Sequence, residues 1–372
     1  MALKNDIDAQ QVSKALGLWI SRVIPGASSP SIANLRIPQA SGLSSLTILF
    51  DAEWTVDGHR DSHELVVRCV PKKGGVFETC DLSREFQLFR ALDGQPDVPV
   101  PSPVALEQDD ESIIGAPFFV MDRIAGRVAS DDPPYTVEGW VMELSSEERA
   151  VLAHNALKAL VAVHAVDVDK NNLAWLGDEG IAAPSIRSRL AAQKNYLNWV
   201  SKGASHPVLE RAFEWLEAEV PVETGDIVIS WGDARLGNLI IAEDLKVAAI
   251  IDWEMAGLGA REVDLGWWLL VQRFHSSAIG VDLPDGFLSE EETITLYKEL
   301  SGYTPRNLDY YITFAALRLS IIMVRLGHMM IEHELLPPDA PMLYNNPVLQ
   351  TLSDLLGMGP LEGSSQYFVG NR

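Results

Sequence analysis

Three polar residues in one short segment have the types and spacing for chemistry on a phosphate: Asp233, Asn238 and Asp252. They lie in Ile229-Ser-Trp-Gly-Asp-Ala-Arg-Leu-Gly-Asn238, followed by Leu239 to Ile251, then Asp252-Trp-Glu254. An amide oxygen and a carboxylate brought together make a hard, oxygen-only seat for a divalent cation. Magnesium suits such a seat when nucleotide phosphates and water complete its shell. A carboxylate five residues before the Asn can accept or orient a hydroxyl proton during in-line phosphoryl transfer. A lone Asp or Asn in a loop is more often a turn former. The three together around one chain reversal carry the functional reading.

The elements that must position these residues are legible nearby. Leu239 to Ala242 is a short apolar strand, Glu243 to Lys246 a polar turn, and Val247 to Ile251 the returning strand. An antiparallel hairpin brings its open ends together, about 5 Å apart between facing Cα atoms, so Asn238 and Asp252 are expected side by side. Asp233 sits in the loop that feeds the hairpin. Upstream, residues 6 to 30 read as a helix and a Pro/Gly/Ser loop. Residues 35 to 125 read as a mostly β lobe holding one helix, with Leu82, Phe86, Phe89 and Leu92 along one face. Beyond about residue 126 the pattern becomes helical. Ser145 and Glu148 form a capping-box signature before a helix running to about Val166. The order is β-rich lobe, apolar connector, helical lobe, with domains expected at 1–124 and 125–372 and a ligand site in the cleft between them.

The segment 229–268 resembles the aminoglycoside phosphotransferase and choline kinase-like superfamily. Its signature is His-Gly-Asp, four residues, Asn, then Ile-Asp-Trp-Glu or a relative. The resemblance extends over about residues 35 to 330. It implies an α+β, two-lobed protein-kinase-like fold and transfer of the γ-phosphoryl of ATP to a hydroxyl of a small molecule. By the resemblance Asp233 is the catalytic base, and Asn238 and Asp252 are magnesium ligands. Asp264, in Arg-Glu-Val-Asp-Leu-Gly-Trp-Trp, is similar to a buried Asp that hydrogen-bonds the catalytic loop; by residue type alone it also reads as a helix N-cap. Trp231 stands where the signature has His, and a large indole there could reshape the loop. The alternative is therefore a nucleotide-binding regulator without turnover.

The β-rich part supplies further expectations. Arg68, in Leu-Val-Val-Arg-Cys-Val, is similar to the family's phosphate-contacting basic residue, and a guanidinium can hold phosphates bidentately. By residue type alone it also reads as a charge on the outer face of an edge strand. Glu85 lies near the apolar face of its helix, which is odd for a solvated acid and reasonable for one paired with Arg68; by residue type alone it also reads as an ordinary helix-surface Glu. Gln39 to Thr47, which includes Ser44, has residues small enough for backbone N–H groups to approach a phosphate; it also reads as a simple hairpin turn. By resemblance Phe119 to Arg123 joins the lobes, with Val120, Met121 and Asp122 nearest the adenine. Trp267 and Trp268 read as core before substrate pocket, and His164 as a satisfied core residue.

Composition narrows the rest. The chain has 372 residues, 47% of them apolar, which is ample for two lobes with cores. A net charge of −23 disfavours nucleic acid and anionic membranes as partners; it suits a cationic substrate, or simply solubility. Two cysteines build no disulfide framework and fit a reducing, cytoplasmic setting. The first eleven residues carry Lys4, Asp6 and Asp8, unlike a secretory leader. Ile312 to Ile331 is apolar but interrupted by Arg318, Arg325 and His328, as in a buried helix rather than a membrane span. The expected partner is a small-molecule hydroxyl compound, with ATP and Mg2+ as cofactors and the oligomeric state left open.

Overall fold

The computed structural model describes residues 8–37, 46–70, 75–78, 81–177, 185–222 and 225–363. The chain divides into two compact units, 1–95 with 99–125, and 96–98 with 126–372. Ser44 lies outside the described residues, as does Cys80.

The first unit is built on α1 (Ala9–Val23), β1 (Ser28–Arg36), β2 (Leu46–Val56), β3 (His59–Cys69), α2 (Leu82–Leu92), β4 (Pro103–Glu107) and β5 (Phe118–Asp122). Its five strands form one antiparallel sheet in the order β1-β2-β3-β5-β4. The β2–β3 register runs unbroken from Leu46–Cys69 to Val56–His59, closed by a turn in which Asp57 and Gly58 take the positive φ of a two-residue hairpin. Alternate residues of β2 (Leu46, Ile48, Phe50, Ala52, Trp54) face a core shared with Leu16, Trp19 and Ile20 of α1 and with Phe118 and Val120 of β5. Strand β1 begins at the end of the stretch read as a Pro/Gly/Ser loop and runs into the β-rich part. It is mostly exposed and irregular, and it is held by pairing to β2 rather than by its own apolar pattern.

The second unit is mostly helical: α3 (Trp140–Glu143), α4 (Ser146–His164), α5 (Ile186–Ser201), α6 (Pro207–Ala218), α7 (Arg261–Phe274), α8 (Glu290–Ser301), α9 (Leu308–Glu332) and α10 (Pro347–Leu355). Two small antiparallel pairs interrupt it. One joins β6 (Val228–Ser230) to β9 (Gly257–Gly259), the other β7 (Leu239–Ile241) to β8 (Val247–Ile250). The capping box opens α4: the Ser145 hydroxyl accepts from Glu148 N, and the Glu148 carboxylate accepts from Ser145 N. Helix α9 is long and apolar enough by composition to cross a bilayer, yet 67% of its most apolar window is buried inside the protein. Gly266 of α7 lets that helix approach α9 closely, because a Cβ there would come within 2.7 Å of the Tyr311 backbone.

Candidate functional site

The site grows from the path between β6 and β8. Strand β6 is wholly buried and delivers Trp231, Gly232 and Asp233 into a tight loop. Gly232 has φ +91°, and a Cβ on it would come within 2.2 Å of the Met255 carbonyl oxygen, so glycine is required on both counts. A single 3-10 turn, Leu236–Asn238, leads into the β7–β8 hairpin.

Asp264, fully buried on α7, organises the loop. One carboxylate oxygen accepts from Ser230 Oγ (2.8 Å) and Gly232 N (2.9 Å). The other accepts from Trp231 N (2.7 Å) and lies 3.1 Å from His164 Nε2. His164 Nδ1 in turn meets the Tyr297 hydroxyl at 2.6 Å, so this core histidine is satisfied on both ring nitrogens. Burial alone would raise the Asp264 pKa; the donors from His164, Gly232 and Ser230 outweigh it and hold the carboxyl below its ordinary value. The residue is not the helix N-cap, which is Ala260.

Asp233 is largely enclosed, and its carboxylate accepts three N–H donors. These are Trp267 Nε1 at 2.8 Å on one oxygen, and Arg235 Nε at 2.9 Å and Asn238 Nδ2 at 2.7 Å on the other. Arg235 also pairs with Asp131, so its guanidinium is gripped from two sides and its pKa is driven further up against the opposing effect of burial. The Asn238 amide nitrogen donates a second time, to the Asp233 carbonyl oxygen at 3.0 Å. Both partners are pure acceptors, which fixes the amide's orientation and leaves Oδ1 as the atom it can offer to a cation.

The hairpin register differs by one residue from the expected facing pair. Leu239 pairs with Ile250, and Ile251 N donates to Asn238 O at 3.0 Å, so Asn238 faces Ile251 and Asp252 comes one residue later. Asp252 has φ +62°, a left-handed turn that ends the strand's alternation at that residue. Asn238 and Asp252 thus flank the open end of one hairpin. They offer one amide oxygen and one carboxylate, a sparse, all-oxygen set of the kind magnesium accepts beside phosphates and water.

Trp231, which takes the place of the signature histidine, is packed inside the loop. Its ring is fully buried and its Nε1 donates to the Ile251 carbonyl at 3.0 Å, tying the Asp233 loop to the residue before Asp252.

In the first unit, Arg68 lies on β3, an inner strand, and its Nε donates to Glu85 Oε2 at 2.8 Å; Glu85 is buried on α2. The reading of Arg68 as an outer-edge charge therefore falls. Residues 118–122 form strand β5, hydrogen-bonded on both sides, close to the end of the first unit at residue 125. Val120 is wholly buried in the core, so its side chain has no face to offer a base; Met121 and Asp122 are half-buried. Burial raises the Asp122 pKa. Cys69 is buried and its thiol pushed up to about 12, which removes it as a nucleophile at neutral pH.

Trp267, core by residue type, touches Asp233. The spacing holds the signal: Asp264 and Trp267 are three apart on α7, hence on one helix face, and Asp264 faces the loop. The Arg235–Asp131 pair leaves no such signal, because it is closed by tertiary structure across 104 residues.

Residues 41–301 match the model of the phosphotransferase enzyme family. The probable acyl-CoA dehydrogenase IBR3 of Arabidopsis thaliana is 30% identical over 260 residues, 65% of this chain and 30% of that protein, so the chain spans under a third of this relative's length. Among solved structures, a candidate aminoglycoside phosphotransferase from Ralstonia eutropha JMP134 aligns with TM-score 0.66 at 24% identity, covering 93% of this chain and 96% of that one. A thermostable mutant of aminoglycoside phosphotransferase APH(4)-Ia, in ternary complex with AMP-PNP and hygromycin B, aligns with TM-score 0.56 at 13% identity, covering 92% and 98%. With its family model matched over well more than half its length, the chain belongs to the phosphotransferase enzyme family, whose members are kinase-like enzymes.

Proposed function

We propose that this protein transfers the γ-phosphoryl group of ATP to a hydroxyl of a small acceptor. One observation carries the reading: the Asp233 carboxylate is held by three N–H donors from Trp267, Arg235 and Asn238, beside an Asn238 amide whose oxygen is left to bind a cation. Asp233 orients the acceptor hydroxyl and takes its proton as the O–P bond forms. Asn238 Oδ1 and the Asp252 carboxylate would hold a magnesium ion, which neutralises phosphate charge when bound. Arg68, set by Glu85, contacts the nucleotide phosphates, and Met121 and Asp122 lie toward the base. Asp264 keeps the loop in register through Trp231 N and Gly232 N. Positioning and charge neutralisation supply most of the rate gain.

The acceptor is an aminoglycoside-like compound or a metabolite alcohol. The relative named as an acyl-CoA dehydrogenase favours the second, in the form of a hydroxyacyl thioester. The test is ADP release from Mg-ATP across a panel of hydroxyacyl thioesters, amino alcohols and aminoglycosides. Acceptor-dependent release abolished by Asp233→Ala supports the reading. Nucleotide binding without turnover across the whole panel would replace it with a regulator, and phosphate release without any acceptor with a hydrolase.

A further inference from the structure

Arg318 is the charge the mechanism does not yet use. It lies on α9, only 4% exposed, in the most apolar helix of the chain. Among the described residues no carboxylate comes within ion-pair range of it, and its Nη1 has no hydrogen-bond partner. Burial, reinforced by the like charge of Arg189, lowers its pKa to about 10, against the pull of Asp264 and Asp233. A buried cation without a salt bridge is costly, and a leucine or methionine would fill the same space more favourably.

What surrounds Arg318 says why it is there. Its guanidinium sits 4.7 Å from the ring centre of Trp267 and 5.7 Å from that of Phe314, so aromatic faces take the place of a carboxylate. The N–H at the edge of that same Trp267 ring holds Asp233 Oδ1 at 2.8 Å. On another side, Arg318 Nη2 faces the Gly232 carbonyl at 3.4 Å, one peptide before Asp233. The cation therefore touches both supports of the Asp233 side chain: the indole that anchors it and the backbone that carries it.

We infer that Arg318 is a positioning residue for Asp233, acting through the indole of Trp267. Stacking fixes the plane and reach of the indole. A cation on the ring face also draws π density and sharpens the edge N–H as a donor. Charge and planarity both matter, which separates this role from simple filling of space. The inference rests on reading Asp233 as the residue that orients the acceptor, and its first test needs no acceptor.

The full-length protein is labelled with 15N-tryptophan, and the Trp267 indole N–H resonance is assigned by its loss in Trp267→Phe. Asp233→Asn, which weakens the hydrogen bond directly, sets the direction of the shift. Arg318→Met is expected to move the resonance the same way with cooperative melting retained, and Arg318→Lys to move it less. A resonance left at its wild-type position in Arg318→Met overturns the inference. Should Arg318→Met fail to fold, Arg318→Lys decides alone: a shift toward the Asp233→Asn position supports the role, and none refutes it. With an acceptor in hand, Arg318→Met lowers kcat on the order of tenfold to a hundredfold while KM for ATP stays within about twofold. An unchanged kcat also overturns it. Absence of turnover in the wild type defeats the phosphotransferase reading alone and leaves the indole measurement standing.

Discussion

Among the buried carboxylates of the described residues, Glu85 and Asp264 are satisfied in opposite ways. Glu85, in the first unit, faces a full positive charge, the Arg68 guanidinium at 2.8 Å. Asp264, in the second, faces a ring of single donors: Ser230 Oγ, two backbone N–H groups and a histidine. An acid neutralised by a long side chain tolerates movement, because the partner can follow it. An acid satisfied by the backbone of a loop fixes that loop. The molecule thus uses charge where the partner is a long side chain, and a hydrogen-bond cage where a loop must hold one shape.

Removing Asp264 is the most severe way to test that contrast. Asp264→Ala leaves Ser230, His164 and the N–H groups of Trp231 and Gly232 without that acceptor in a buried interior. The expected loss is about 3–5 kcal/mol, read as a shift of the urea midpoint. Asp264→Asn restores only part, since one oxygen becomes a donor facing donors. A loss under about 1 kcal/mol for the alanine variant breaks the comparison.

Acid gives the next largest effect and uses a third buried group. His275 sits 3.5 Å from Asp131, too far for a hydrogen bond, with both ring nitrogens unpartnered. Burial outweighs the pull of Asp131 and lowers its pKa from 6.5 to about 4. Between those values the unfolded chain takes up a proton that the folded chain refuses, so stability falls as pH drops from about 6.5 to about 4. The full loss amounts to about 3 kcal/mol at most. Asp264, whose pKa is lowered, adds its own loss only at still lower pH, as it takes up a proton through its folded value. Melting temperatures across this range, with His275→Phe flattening the upper part of the slope, separate the two.

Glu85→Gln is milder. The amide keeps an oxygen for Arg68 Nε and forfeits the charge, for an expected cost of about 1–2 kcal/mol. On the proposed role of Arg68, KM for ATP rises more than kcat falls, because Arg68 is loosened rather than removed. An effect as large as that of Asp264→Ala would mean that both acids are structural in the same sense.

Legibility in the sequence divides along the same line. Local chemistry is readable. The hairpin shows in two apolar runs around Glu243 to Lys246, the start of α4 in Ser145 and Glu148, and the Arg68–Glu85 contact in an acid placed on the apolar face of a helix. Register is not. The left-handed turn at Asp252 is set by the chain beyond the strand, and the facing pair moves by one residue. Strand β1 escapes notice because its pairing comes from β2 and not from its own composition. Contacts closed by tertiary structure leave no mark in spacing: Asp131 with Arg235, His164 with Asp264, Arg318 with Trp267.

The smallest predicted effect concerns Trp231, which stands where the signature has His. Trp231 ties the cage around Asp264 to the end of the hairpin, since its backbone N–H goes to Asp264 and its indole N–H to Ile251 O. Trp231→Phe keeps the first bond and removes the second. The consequence is a single carbonyl next to Asp252 without its donor, worth about 1 kcal/mol, together with a small void beside Trp253, whose ring centre lies 5.9 Å away. Trp231→His offers a ring N–H in the same direction with less bulk, so it is expected to recover part of the loss. If the histidine variant is instead worse than phenylalanine, the indole serves by filling space and not by bonding Ile251. The link between the Asp264 cage and the hairpin would then run through the backbone alone.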